Sequence, residues 1–113
     1  MVTERRERER CNAKGLIVLT SKGVAQVVNI STKGIYIKFA NIVNFPNNSV
    51  IDIYDVTGFS MVKLHAKKVW GKIFVDLDRY SYKPFKSEIF AEFETLSLSQ
   101  ECQLVFYLSQ EKN

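Results

Sequence analysis

Short apolar runs with a two-residue period, separated by turn residues, constrain the fold of this chain more than any other feature. The run "GIYIKFA" shows the period, since Ile35 and Ile37 point to one face and Tyr36 and Lys38 to the other. Turn signals such as "SKG", "NFPNNS" and "TGFS" separate one run from the next. A series of short strands of this kind predicts a small antiparallel barrel or sandwich.

The later runs extend the strand pattern. We interpret "MVKLHAKKVW" and "KIFVDLD" as a hairpin closed near Gly71, and "RYSYKPFKS" as a loop centred on Pro84. The segment "EIFAEFETL" predicts a further strand, with Ile89, Ala91 and Phe93 on one face.

The end of the chain has a different character, because "SLSQECQLVFYLSQEKN" lacks both turn residues and strand alternation. Ser97 followed by Gln100 matches a capping box. Four apolar residues then recur at helical spacing: Leu98, Cys102, Val105 and Leu108. The pattern predicts one amphipathic helix over about 98–110, which covers the barrel or docks a partner.

Length and composition indicate one ordinary globular domain. The 113 residues are enough for a single core, and the hydrophobic fraction of 46% is typical of such domains. No apolar run approaches the roughly 20 residues of a membrane helix, and no hydrophobic segment follows the charged N-terminus, which argues against a secretory signal. Cys11 and Cys102 show no metal or redox spacing, so we expect a cytoplasmic protein with reduced thiols.

The N-terminus forms a compositionally separate segment. Four arginines and three glutamates occupy positions 4–10 without an apolar residue, so we predict a flexible arm over 1–13 before a single domain over 14–113. Arginine offers a fork of donors that suits phosphate oxygens and the O6/N7 edge of guanine. The alternative is a solvated charge run, with Glu4 and Arg8 paired at helical spacing. The net charge of +4 favours anionic partners without identifying one.

The segment "NISTKG" follows the first two predicted strands and has two interpretations. Asn29 carries an amide that can read a base edge, Ser31 a hydroxyl donor, and Gly34 either a positive φ or space for a close approach to its backbone. The same residue types also make a plain hairpin turn that caps its own backbone. The six residues alone leave both interpretations open.

The sequence offers little for an enzyme. His65 stands alone in a strand, and no nucleophile, zinc or phosphate-loop motif occurs. Four aspartates lie near strand ends without metal-ligand spacing: Asp52, Asp55, Asp76 and Asp78. We therefore expect no catalytic activity, no metal and no resident cofactor.

Two motifs in order resemble the PilZ family. Arg6 and Arg10 in "RERER" form an Arg-x-x-x-Arg pair, and after two strands Asn29, Ser31 and Gly34 form Asn-x-Ser-x-x-Gly. The family pattern is RxxxR, a strand pair and (D/N)xSxxG, so these five residues fill each fixed position. "EIFAEFETLS" resembles the family's late strand and "LSQECQLVFYLSQ" its C-terminal helix, so the resemblance spans essentially the whole chain.

The resemblance implies an all-β fold, a six-stranded antiparallel barrel with a C-terminal helix and a flexible N-terminal arm. It also implies a receptor for the bacterial second messenger cyclic di-GMP. Arg6 and Arg10 would then contact guanine edges and phosphates, and Arg5 is an additional candidate. The two phosphates and two guanines of this ligand each suit an arginine fork.

The turn would supply the other side of the implied site. Asn29 and Ser31 would contact a guanine, and Gly34 would keep the turn compact beneath it. For this we expect Asn29 and Ser31 to face outward and Ile30 to point into the barrel. The signal would pass to an unidentified effector protein by ordering of the arm. The regulated process, whether motility, adhesion or polysaccharide export, the ligand stoichiometry and the oligomeric state stay open.

Two alternatives remain at this level. Phe90 stands where many PilZ sequences have a glycine, which motivates a protein-interaction module of PilZ type that binds no nucleotide. A small basic barrel could instead bind single-stranded nucleic acid and stack bases on Tyr36, Tyr54 and Trp70, if these are surface residues and not core or rim residues. The glutamates interleaved in the arm argue against a continuous phosphate backbone as ligand.

Overall fold

The computed structural model describes residues 11–12, 15–74 and 84–111. Within these residues the chain forms seven strands and one helix: β1 (Cys11–Asn12), β2 (Leu16–Thr20), β3 (Gly23–Ile30), β4 (Gly34–Phe39), β5 (Asn48–Asp55), β6 (Ser60–Ile73), β7 (Ser87–Phe93) and α1 (Leu98–Glu111). The boundary predicted between arm and domain falls in the part of the chain that is not described, and it stays a prediction.

Six of the strands close into an antiparallel barrel, in the order β3-β2-β5-β6-β7-β4 with β4 pairing back to β3. Closure pairs the edges that an open sheet would expose. The two-residue strand β1 adds to β3 beyond the end of β2, since β2 pairs with residues 23–26 of β3 and β1 with residues 29–30. The predicted six-stranded barrel with a C-terminal helix is confirmed.

Alternation along each strand builds the core. In β4 the side chains of Ile35 and Ile37 are buried, while Tyr36 and Lys38 lie on the outer wall, as the sequence predicts. In β7 the inward residues are again those predicted: Ile89, Ala91 and Phe93. Because the side-chain period is two, the polar partners on each strand are left on the outer wall, where a ligand can reach them.

The predicted hairpin near Gly71 is wrong. Strand β6 continues through Gly71 to Ile73, and Gly71 pairs with Ile89 of β7. The backbone stays extended because β7 supplies ladder partners along the whole C-terminal half of β6. The glycine therefore lies in a strand interior, a position that neighbouring residues in sequence do not reveal.

The N-terminus of α1 follows the predicted capping box. The Ser97 backbone N–H donates to Gln100 Oε1 at 2.9 Å, and the Gln100 N–H donates to Ser97 Oγ at 3.0 Å. These two bonds satisfy backbone donors that the first helical turn leaves without partners. No helix in the described ranges has the length and apolar content to cross a membrane.

The face of α1 that packs on the barrel agrees with the predicted one only at Leu108. Leu104, Tyr107 and Leu108 are buried, whereas Leu98 is 78% exposed and Val105 is also exposed. Tyr107 decides the orientation: its ring stacks on Phe59 with 4.2 Å between centroids, and its hydroxyl donates to Asp55 Oδ2 at 2.6 Å. The helix is apolar on two sides, so its own period could not select between them.

Candidate functional site

The turn between β3 and β4 is closed by its own hydrogen bonds. The Ser31 N–H donates to the Gly34 carbonyl at 2.9 Å, and Ser31 Oγ accepts the N–H groups of Lys33 and Gly34 at 3.1 and 3.4 Å. Ile30 is fully buried, so its predicted inward orientation is confirmed. The turn is thus held rigidly by the hydroxyl of its own serine.

Ser31 itself departs from the expected outward orientation. It is only 6% exposed, because its oxygen caps the turn from beneath. A hydroxyl that accepts two N–H groups still has one hydrogen to donate, and that hydrogen has no acceptor among the described residues. The exposure predicted for Ser31 is therefore wrong, and its contact with a ligand remains a prediction.

Gly34 is required for a close approach of two strands and not for a positive φ. It pairs with Glu92 of β7, and a Cβ built on it would lie 2.4 Å from the Ala91 carbonyl oxygen. The same Cβ would lie 3.2 Å from Cζ of the Phe90 ring. A glycine at this position thus lets β7 and the Phe90 ring pack against the turn.

Asn29 lies on the outer wall directly before the turn. It pairs with Tyr36 of β4 on one side and with Asn12 of β1 on the other, after an irregularity in β3 between Val27 and Asn29. Its half-buried side chain has no hydrogen-bond partner among the described residues. A side-chain amide can both donate and accept a hydrogen bond.

Strand β1 brings the N-terminal chain to the turn. Cys11 pairs with Ile30, and Asn12 pairs with Asn29. Sequence reasoning missed this strand, because two residues are too few to show a period. Three arginines of the predicted site lie outside the described residues, and their roles remain predictions: Arg5, Arg6 and Arg10.

An aromatic row continues from Asn29 across the outer wall. Register pairs link Asn29 to Tyr36, Tyr36 to Phe90, and Phe90 to Trp70. The Trp70 ring lies 5.4 Å from the Tyr36 ring in an edge-to-face contact, and 6.3 Å from the Phe90 ring at 25° between planes. We call Tyr36, Phe90 and Trp70 the aromatic row. The sequence could have indicated the aromatic row, because the two-residue alternation of each strand places these rings on the outer face.

Glu88 holds one member of the aromatic row in place. The Tyr36 hydroxyl donates to Glu88 Oε1 at 2.5 Å. Burial, the hydrogen bond to Glu88 and the negative charge of Glu88 together raise the pKa of Tyr36 to about 12. Tyr36 is consequently a neutral hydrogen-bond donor at physiological pH, and its ring has a defined position beside Asn29.

The groove on the helix side of the turn has the opposite character. It has a volume of about 370 Å³ and is lined by three glutamates, Glu92, Glu94 and Glu101, together with Lys33. Lys33 Nζ lies 3.6 Å from Glu92 Oε2 and partly neutralises this carboxylate. The remaining negative charge disfavours an anionic ligand here. The outer wall that carries Asn29 and the aromatic row suits such a ligand better.

Among the residues that the structure describes, the remaining histidine, cysteine and acidic side chains form no second site. His65 is exposed on β6 and lines a groove of about 430 Å³ that contains none of residues 29–34. Within the described ranges, histidine, cysteine, aspartate and glutamate side chains form no cluster that could hold a metal ion.

No family profile and no curated protein sequence matches this chain. Solved structures do. The PilZ domain with c-di-GMP of YcgR from Escherichia coli has 14% identity and a TM-score of 0.71, over 96% of this chain and 92% of that one. The Bacillus subtilis inhibitor of motility MotI/DgrA has 16% identity and a TM-score of 0.70, over 97% of this chain and 52% of that one. The Legionella uncharacterized protein Lpg0364 has 14% identity and a TM-score of 0.63, over 92% and 94%.

Proposed function

The chain forms a PilZ-like domain, and from this premise we propose that it is a non-enzymatic receptor for cyclic di-GMP. In this proposal the arm binds through Arg6 and Arg10, with Arg5 as an additional contact. Asn29 and Ser31 contact a guanine from the side of the turn. The bound receptor then acts on a partner protein in the bacterial cytoplasm.

The position of β1 carries the proposal. Cys11, the residue bonded to Arg10, is paired with Ile30. Consecutive Cα atoms lie about 3.8 Å apart, so the arm joins the barrel directly beside the turn. An arm that begins there can close over a ligand on the outer wall without a long linker. This juxtaposition supports a two-sided site made of arm and turn.

The chemistry of the turn supports the same ligand. The Asn29 amide, which has no hydrogen-bond partner among the described residues, can both donate to and accept from a base edge, and Ser31 retains one hydroxyl hydrogen. Arginine complements the acceptor pair O6 and N7 of guanine as well as phosphate oxygens. A ligand with two guanines and two phosphates uses each of these groups.

Relay to a partner follows from the same geometry. An arm that is free without ligand and ordered with ligand changes the surface around β1, which is a common way to switch a binding surface. The relevant observation is that β1 pairs with the last two residues of β3, directly before the turn. In this proposal, contacts to a bound ligand change the order of the arm that precedes β1.

Isothermal titration calorimetry tests the proposal. Cyclic di-GMP should bind the wild type, and Arg6→Ala or Arg10→Ala should weaken binding by roughly 10- to 100-fold, the range for hydrogen bonds to charged groups. Arg8→Ala is the matched control, because it removes the same charge between the two arginines and should stay within about 3-fold. Cyclic di-AMP should bind poorly, since adenine presents a donor where guanine presents O6.

A second pair of variants tests the turn. Asn29→Ala should weaken binding by about 5- to 10-fold through loss of a neutral hydrogen bond. Asn48→Ala, an exposed asparagine at the start of β5, should leave it unchanged. Wild-type protein that gives no heat with cyclic di-GMP up to roughly 100 µM would refute the proposed function. Equal affinities of Arg8→Ala and Arg10→Ala would refute the assigned role of the arm.

One observation favours the PilZ-like interaction module as a second candidate. The Phe90 ring packs over Gly34 and so covers part of the wall beside the turn. If that ring excluded nucleotide, the domain would act by protein contact alone. A partner that binds equally with and without cyclic di-GMP, and equally after Arg6→Ala, would favour this candidate.

A further inference from the structure

The rings of Trp70 and Tyr36 meet over strand β7. Trp70 is on β6 and Tyr36 on β4, with β7 between them, yet their ring centroids are only 5.4 Å apart. Adjacent strands are about 4.8 Å apart, so the two backbones are separated by roughly 10 Å. The two rings therefore bridge β7 on the outer wall, and Tyr36 pairs with Asn29 on its other side.

One side of this indole is supported and another is open. Phe90 stacks against it at 25° between ring planes, and the Tyr36 ring contacts it edge to face. Trp70 is nevertheless 42% exposed. Tyr36 is in turn held by Glu88. A large aromatic surface is thus kept in a defined position and open to solvent.

The charges beside the aromatic row are balanced. On one side of the aromatic row, Glu88 of β7 pairs with Lys38 of β4 and with Lys72 of β6. At the end of the row near the turn, Lys33 forms an ion pair with Glu92. The wall around the rings therefore carries no net negative charge that would repel a nucleotide. It differs in this respect from the groove with three glutamates on the helix side of the turn.

We infer that Trp70, supported by Phe90 and Tyr36, is the surface on which a guanine of the bound nucleotide stacks. This inference rests on the proposed function. Asn29 and Trp70 are three strand steps apart in register, roughly 14 Å between backbones. The turn and the indole thus contact different parts of one ligand. The flat indole binds the base through its face, and Asn29 binds a base edge.

Phe90 has a definite role in this inference. It fills the space between Gly34 and Trp70, so that the indole rests on a ring and not on bare backbone. Its substitution by a small residue should remove this support and weaken binding. If Phe90 instead blocked the site, the same substitution would strengthen binding.

Fluorescence titration is a direct test, because Trp70 is the single tryptophan of the chain. Cyclic di-GMP should change the tryptophan emission with a midpoint equal to the calorimetric Kd. Trp70→Ala should weaken calorimetric binding by roughly 5- to 100-fold, the range for one base–aromatic stack, and Trp70→Phe should retain most of it. Phe106→Ala, an exposed aromatic on α1, is the control and should bind like the wild type.

The outcomes separate the inference from the function on which it rests. Calorimetric binding by the wild type with unchanged emission and unchanged affinity of Trp70→Ala would overturn the inference and leave the proposed function intact. Tighter binding by Phe90→Ala would also overturn it. Emission that responds to a random single-stranded oligonucleotide and not to cyclic di-GMP would assign the rings to nucleic acid. A wild type without any heat would refute the proposed function, and the inference would fall with it. Thermal melts of each variant show whether it is folded.

Discussion

Substitution of Gly34 by alanine tests the packing of the turn against β7. The new Cβ would lie 2.4 Å from the Ala91 carbonyl oxygen and 3.1 Å from Glu92 Cα, whereas ordinary contacts begin at 3.4 Å. Both neighbours are backbone atoms and cannot rotate away. The two strands must therefore separate by about 1 Å at this point to restore ordinary contact.

The cost follows from this displacement. Overpacking of a tight site costs about 1–3 kcal/mol. The Phe93 N–H donates to the Lys33 carbonyl at 2.9 Å beside the clash, and a displacement of about 1 Å takes it beyond hydrogen-bond range. Its loss adds about 0.5–1.5 kcal/mol. We expect Gly34→Ala to lower the free energy of unfolding by about 2–4 kcal/mol and Tm by roughly 8–16 °C.

Urea denaturation followed by circular dichroism measures this loss, and Gly71→Ala is the matched control. Gly71 flanks β7 on the other side, and a Cβ there would meet Ile89 Cδ1 at 3.0 Å, the end of a flexible side chain. Its free energy of unfolding should stay within about 1 kcal/mol of the wild type. If Gly34→Ala and Gly71→Ala unfold at the same urea concentration, the explanation of Gly34 as a close-approach glycine is refuted.

Four further substitutions test α1 and its N-terminal cap. Tyr107→Phe should cost about 1 kcal/mol at pH 7, since the hydroxyl donates to Asp55. Burial alone would raise the pKa of Asp55, but hydrogen bonds from Tyr107 and from the following turn outweigh it and lower that pKa. This stabilisation is present above about pH 4, the unfolded pKa, and is lost as pH falls through the folded pKa. The difference in urea midpoint between wild type and Tyr107→Phe should accordingly shrink on acidification, and a constant difference would contradict the linkage. Ser97→Ala should lower the free energy of unfolding by about 1 kcal/mol through loss of the cap, and an unchanged thermal melt would argue against it. Leu104→Ala should cost about 2–5 kcal/mol and Leu98→Ala almost nothing, since only Leu104 is buried. Equal urea midpoints would contradict the observed helix face.

Features that depend on near neighbours were predictable from the sequence. The inward side chains of β4 and β7 follow from a period of two, and the capping box at Ser97 follows from residues three apart. The predicted turn between β3 and β4 also has the expected chemistry, since Ser31 caps its own backbone. In each case the interacting groups lie within a few residues, so the local sequence contains the information.

Features that depend on distant strands were not predictable in this way. The strand continues through Gly71 because β7 pairs with it, and α1 turns Leu104 inward because Tyr107 meets Phe59 and Asp55. Such contacts join residues that are far apart in the sequence, so a local sequence pattern cannot predict them.

The same distinction between local and long-range features applies to the candidate site. Residue types alone determined a motif pair, a turn with Asn29 and Ser31, and a barrel with a terminal helix. Only the tertiary structure decided that β1 pairs with Asn29, that the backbone of β7 lies close to Gly34, and that the rings of Trp70 and Tyr36 meet over β7. The physical reason is closure of the barrel. Closure places strands from the two halves of the chain side by side. Residues that are far apart in the sequence therefore become neighbours on the outer wall.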